Sequence, residues 1–253
     1  PIFFGLTILF FKKENKFYIF LITIFVLSEV LIFLSGDRSA FFFINLSAIF
    51  IMLFSHNLFK LRLVTLISSL ILVMIISFIN PTAKERVFNQ TINQIIGTEE
   101  RPKGEKGLFI FTKTHTHHYI TAYRMYLDNK IIGVGVKNFR KLCKNKKYEV
   151  SKLSCASHPH NTYIQILSET GIIGFLFLMM ALIYFCINVV KHLILKMNGR
   201  HYFTDFEICV LSGVAIYLWP FAPTGNVFSN WLNIAMILNL PLLIWSRKRV
   251  SDN

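Results

Sequence analysis

LVTLISSLILVMIISFIN, residues 63–80, runs for eighteen residues without a charged side chain. A helix needs roughly 20 apolar residues to cross the hydrocarbon core of a bilayer, so this stretch reads as a membrane span. Similar stretches lie on both sides of it. FYIFLITIFVLSEVLIFL (17–34) reads as another span and AFFFINLSAIFIMLF (40–54) as a short one, while PIFFGLTILFF (1–11) reads as the tail of one more. Downstream, apolar stretches at about 163–190, 203–222 and 229–245 complete the set. Helices are expected, because backbone groups in lipid must pair within their own segment. The strict alternation of a membrane barrel strand is missing.

Composition agrees. Of 253 residues, 54% are hydrophobic, only 16% are charged and 26 are Phe. Soluble domains carry about 25% charged residues. A disordered chain, a coiled coil and an ordinary cytosolic enzyme are excluded. The net charge of +14 comes from 27 Lys and Arg against 13 Asp and Glu. In such a chain, basic residues report topology and anionic lipid before nucleic acid, and no nucleic-acid partner is expected. The chain opens at Pro1 directly into an apolar stretch, without a charged leader region. Residue 1 is therefore expected to be a cut inside a membrane helix, with earlier spans preceding it.

The short loops orient the spans. Lys12, Lys13 and Lys16 fall in one loop, Lys60 and Arg62 two connections later, and Lys191, Lys196 and Arg200 in another. Arg247, Lys248 and Arg249 follow the last span. These alternate so as to share one face, which the positive-inside rule makes cytoplasmic. The fold expected is all-α: a multi-pass transmembrane helix bundle with a long extracytoplasmic loop domain. Residues 1–80 would be transmembrane helices, the first partial, and 81–160 the loop domain. Residues 161–253 would be further transmembrane helices with a cytoplasmic C-terminus. The loop holds 15 Lys and Arg against six acidic residues. Long loops translocate largely regardless of charge. A basic surface there suits either a phosphorylated, lipid-linked ligand or plain solvent near the headgroups.

Three clusters carry candidate chemistry. SGDRSA (35–40) joins two spans and places Asp37 and Arg38 at the extracytoplasmic mouth. The Arg38 guanidinium could present its planar fork to a phosphate, or could simply pair with Asp37. HPHNTYIQILSETG (158–171) opens a later span. Asn161 or Thr162 can cap that helix, and Thr162 with Gln165 fits capping-box spacing. His158 and His160 thus sit at a helix N-terminus, which attracts anions and opposes protonation of an imidazole. Such a His can act as a general base, or merely face water beside the cap. HTHHY (115–119) could contact substrate or lie on the surface. It has no Cys or carboxylate at ligand spacing, so no metal is expected.

Around these lie supporting features. Arg124 falls in ITAYRMYLDNK, an amphipathic-helix pattern. Gly133 and Gly135 lack the third glycine and βαβ context of a dinucleotide fingerprint and read as a tight turn. Cys143 and Cys155, 12 positions apart outside the membrane, suit a disulfide that would tether the approach to His158. Cys186 and Cys209 fall in spans and read as buried apolar side chains. Glu29 and Glu169 are membrane-level carboxylates that could face a polar cavity and orient a His or Arg. Glu169 reads equally as a headgroup-zone position.

SGDRSA between two spans, DNKIIGVGVKNFR in a long outer loop and HPHNTYIQILSETGIIGF opening a later span, in that order, resemble the O-antigen ligase and O-antigen polymerase superfamily. The resemblance covers about residues 17–190. It implies a metal-independent glycosyltransferase of the bacterial inner membrane, multi-pass, with its active site facing the periplasm and no cofactor. Its donor would be a glycan on undecaprenyl diphosphate. A ligase would deliver that glycan to lipid A-core or another acceptor, and a polymerase to another lipid-linked glycan. Arg38 would hold the diphosphate, and His160, directly before Asn161, would be the base, with His158 as the alternative. The family often has a second phosphate-contacting arginine ahead of the Gly-x-Gly turn. Here Arg124 is the nearest, with His115 or His117 as substitutes. Asn161 and Glu169 would support the site. A lipid-linked sugar transporter, the competing class, would require inverted repeats and matched broken helices, and no clear repeat is seen.

Overall fold

The structure, a computed structural model, describes Gly5, residues 15–96 and residues 110–251. The stretch read as the first span therefore lies, apart from Gly5, outside the described residues. Every regular element among the described residues is helical, so the protein is an all-α membrane bundle. Helices α1 (Asn15–Ser35), α2 (Arg38–Phe54) and α3 (Phe59–Ile79) come first. A short α4 (Pro81–Lys84), a π-helical turn (Glu85–Asn89) and α5 (Gln90–Ile96) follow. Then come α6 (Lys113–Asp128), α7 (Phe139–Leu142), α8 (Thr162–Met197), α9 (Asp205–Tyr217), α10 (Asn230–Ile237) and α11 (Asn239–Ser251).

Among the described residues, three helices are long and apolar enough to cross a membrane: Tyr18–Ser35 within α1, α3 and α8. The 17-residue α2 is shorter but equally apolar. Two stretches read as spans differ from that reading. Residues 203–222 form only the 13-residue α9, which ends before Pro220. Residues 229–245 break at Leu238 into α10 and α11, where Pro241 in the first turn of α11 tolerates a helix start but not a continuous helix interior.

The chain divides into two compact units. The first comprises residues 1–92, 188–218 and 236–253. Within it α1, α2 and α3 pack on one another, and α9 packs on α2 and α11. Its core at one end is Phe33, Val73, Ala83 and Val87. Phe33, Phe41 and Phe88 meet there in edge-on and tilted contacts with ring centroids 5.5–6.2 Å apart. Outward-facing side chains are large and apolar, such as Leu31, Val64, Phe78 and Ile79, as lipid-facing surfaces require.

The second unit comprises residues 93–187 and 219–235. Its core is Ala122 and Met125 of α6 with Phe139, Cys143 and Tyr148, and Ile164 of α8 packs against it. Cys143 and Cys155 form a disulfide. One feature of α8 positions the rest. Gly171 has φ 67° and ψ −164°, so the helix breaks there. In an unbroken helix the Ile172 and Ile173 N–H groups would bond to the carbonyls of Ser168 and Glu169. Instead those carbonyls accept from the N–H groups of Val134 (2.9 Å) and Gly135 (3.0 Å). The Ile172 and Ile173 N–H groups donate to the carbonyls of Lys130 (2.8 Å) and Ile131 (3.4 Å). The turn at 130–135 is thus inserted into the ladder of α8. Only glycine allows the approach, since a Cβ on Gly133 or Gly171 would overlap the opposing backbone.

Candidate active site

The second unit gathers a site at the start of α8. Asn161 caps the helix, its Oδ1 accepting from the N–H groups of Tyr163 (3.0 Å) and Ile164 (3.2 Å). Of the two capping readings the structure takes Asn161, and the Thr162–Gln165 box does not form. Both those side chains turn to the segment 219–228. The Thr162 and Thr224 hydroxyls lie 3.1 Å apart. Gln165 Nε2 donates to Asn226 Oδ1 (2.8 Å), and Gln165 Oε1 accepts from the Val227 N–H (3.2 Å). Asn161 Nδ2 donates to the Pro220 carbonyl (2.9 Å). Gln165, Ser168 and Glu169 are almost fully buried, so the first turns of α8 present a polar, satisfied face to this segment.

That segment holds the candidate base in place. His160 has φ +61°, a left-handed conformation uncommon outside glycine. Its carbonyl accepts from the Thr224 N–H (2.9 Å), and the Tyr119 hydroxyl lies 3.4 Å from it. His158 is tied to the same loop: Nε2 donates to the Thr224 carbonyl (3.3 Å), leaving Nδ1 to accept from the Ser157 hydroxyl (2.9 Å). Both nitrogens of His158 are therefore committed. Among the described residues no hydrogen bond engages the His160 ring.

Other imidazoles close around that ring. The centroids of His158, His115 and His118 lie 4.0, 5.4 and 5.5 Å from that of His160. His115 and His118, three apart on α6, share one face of that helix. Thr112 caps α6, accepting from the His115 N–H (3.3 Å). Burial, and then the neighbouring His158, His115 and His118, push the pKa of His160 down to about 4. Burial also lowers those of His118 and His158. At neutral pH His160, His158 and His118 are therefore unprotonated. Among the described residues no group of three or more His, Cys, Asp or Glu is arranged to hold a metal ion.

The other residues singled out in the sequence fall elsewhere. His117 turns away from the cluster to Ser151, Nδ1 to Oγ 2.6 Å. Arg124 donates to the Glu149 carbonyl (2.8 Å). Glu169 accepts from the backbone N–H groups of Lys137 and Phe139 (3.0 Å each) and from Gln165 Nε2 (3.3 Å), so it pins the glycine turn to α8. In the first unit, Asp37 caps α2, accepting from the Ala40 N–H (3.0 Å), and Arg38 is the first residue of that helix. Arg86, in the π-helical turn, lies across Gly36: a Cβ there would meet Arg86 Cδ at 2.8 Å.

Sequence reasoning missed His118, Thr224 and Arg86. His118 was visible as part of HTHHY, where the i, i+3 spacing from His115 was the unused signal. Arg86 and Thr224 carried no local signal, because tertiary packing alone brings them to their partners.

No curated protein and no solved structure matches the chain. Residues 19–179 match the O-Antigen ligase family, a range that runs from α1 across the Arg38 turn and the histidine cluster to beyond the kink of α8. With that match over more than half its length, the chain belongs to the O-antigen ligase family, and it is a multi-pass membrane enzyme of the O-antigen ligase and polymerase type.

Proposed function

We propose that this protein transfers a glycan from undecaprenyl diphosphate to an acceptor hydroxyl, in the inner membrane with its active site facing the periplasm. His160 is the base. The acceptor oxygen attacks the anomeric carbon, and the bond to the diphosphate oxygen breaks with its electron pair leaving on the diphosphate. The acceptor proton passes to the His160 imidazole. The observation that carries this reading is the held, unprotonated His160: its backbone is anchored in a strained conformation while its ring nitrogens stay available. Its neighbour His158 has both nitrogens engaged, Nε2 by the Thr224 carbonyl and Nδ1 by the Ser157 hydroxyl.

Arg38 binds the diphosphate, and Arg86, lying across the same turn, is its partner in that role in place of Arg124. His115 and His118, packed against the same ring, serve as hydrogen-bond partners of the diphosphate oxygens. The diphosphate is already a good leaving group, so charge binding, positioning and one proton acceptor suffice without a nucleotide or metal cofactor. Lipid A-core is the acceptor in the ligase reading. The polymerase reading uses the same groups with a second lipid-linked glycan as acceptor.

The test is deletion of the full-length gene with complementation, reading envelope glycolipids on gels and the undecaprenyl-linked pool in parallel. Stranded polymer with bare acceptor identifies a ligase, and acceptor carrying single repeat units a polymerase. His160→Asn is the informative variant, because Asn tolerates the left-handed backbone and removes the base. It is expected to reach the membrane at normal level and to lose transfer by 100-fold or more, about the size of a general-base contribution. Arg38→Lys is expected to fail as well, since Lys lacks the bidentate fork. Normal transfer by His160→Asn would remove His160 from the mechanism.

A further inference from the structure

We propose that the turn at Ile131 and Ile132 is a membrane wedge. It enters the bilayer at the hydrocarbon boundary beside the kink of α8, and the lysines around it bind anionic headgroups. The proposal is independent of the transfer chemistry.

Depth comes from α8. After Glu169 no charged side chain occurs from Gly171 to Val190, and Lys191 ends the run. That run is 20 residues, about 30 Å at 1.5 Å per residue, which matches the hydrocarbon core. Gly171 therefore stands at its edge. The wedge is held at this level by backbone bonds, from Ile172 N–H to the Lys130 carbonyl and from Ile173 N–H to the Ile131 carbonyl. Glu169 locks the far side of the turn through Lys137 and Phe139. The turn cannot rise away from the membrane without leaving the broken ladder of α8 unpaired.

The surface at that level is apolar. Ile131 is 65%, Ile132 71% and Val136 50% exposed. Their turn is bonded directly to α8 at Ile172 and Ile173, where Ile173 is 48% and Phe177 67% exposed and the surrounding medium must be lipid. Exposed Lys130, Lys137 and Lys141 flank the isoleucines in sequence. Apolar tips with a basic rim are the pattern of an interfacial anchor on an anionic membrane. The bilayer is the occupant this continuity selects, because a protein partner would have to displace lipid already covering Ile173 and Phe177.

The test uses the full-length chain in nanodiscs containing phosphatidylglycerol. A nitroxide is placed at Ile132→Cys after Cys186 and Cys209 are replaced by Ala, and its accessibility to oxygen and to a water-soluble nickel chelate is measured by power saturation. Labels at Phe177→Cys and Lys146→Cys give the lipid and water references. Oxygen access exceeding nickel access, as at the lipid reference, is the expected result. The reverse order overturns the wedge. Low access to both reagents overturns it too, because it would mean protein covers the site. Val136→Cys gives the same reading should the first variant fail to fold. In discs of phosphatidylcholine alone, nickel access at position 132 is expected to rise. No change would overturn the headgroup role of the lysines.

Discussion

A non-glycine residue held at φ +61° costs roughly 1–3 kcal/mol, and it persists only where its surroundings over-determine it. At His160 the determinants are the Thr224 N–H on its carbonyl, the Asn161 cap behind it and the ring contacts with His158, His115 and His118. Burial and three neighbouring imidazoles keep the ring unprotonated, with a pKa near 4. Under the proposed function the neutral form acts as the base, so in the free enzyme activity is expected to be lost only as pH falls towards about 4, well below the ordinary histidine value. A bound diphosphate is an opposite charge and favours the protonated ring, which moves the limb upward in the complex. Steady-state profiles of purified enzyme are expected to show kcat losing activity at a higher pH than kcat/KM does. Two coincident limbs near 6.5 would mean that His160 is not the titrating base.

The kink of α8 carries the architecture between helix and loop. An interrupted helix at membrane depth is tolerated only when protein re-satisfies the freed backbone groups. Here the turn at 130–135 supplies two donors and two acceptors to Ser168, Glu169, Ile172 and Ile173. The buried Glu169 carboxylate then fastens the turn's exit. Gly171 lies in a backbone region essentially restricted to glycine, and a Cβ would land on the Ile131 carbonyl. Gly171→Ala is therefore expected to destabilise by at least about 1–3 kcal/mol. Its local signature is hydrogen exchange: the Val134 and Gly135 amides lose protection in the variant. Unchanged protection there would show that the inserted turn does not depend on this glycine.

Across the whole chain, basic residues sort by loop. Lys60 and Arg62, Lys191, Lys196 and Arg200, and the group Arg247, Lys248 and Arg249 alternate to one face. The histidine-bearing segment around α6 is expected on the other. In intact cells, with Cys186 and Cys209 replaced, a membrane-impermeant maleimide is expected to label Lys146→Cys and to spare Lys60→Cys until the cells are broken. Labelling of Lys60→Cys in intact cells would invert the proposed topology and put the His160 site in the cytoplasm.

Much of this protein is readable in one dimension. Long apolar stretches specify α1, α3 and α8, because lipid leaves the backbone no other way to pair. SGDRSA and HPHN announce the Arg38 turn and the capped start of α8, because caps and turns are local chemistry. What escapes a linear reading depends on residues far apart in sequence. The break of α8 is invisible in an apolar run until the turn 130–135 is seen to replace its hydrogen bonds. Asn161 and Thr162 compete equally as caps until Thr224 takes the Thr162 hydroxyl. His158 and His160 look interchangeable two positions apart. Only the folded loop at Thr224 tells them apart, because it takes up Nε2 of one ring and fixes the backbone of the other.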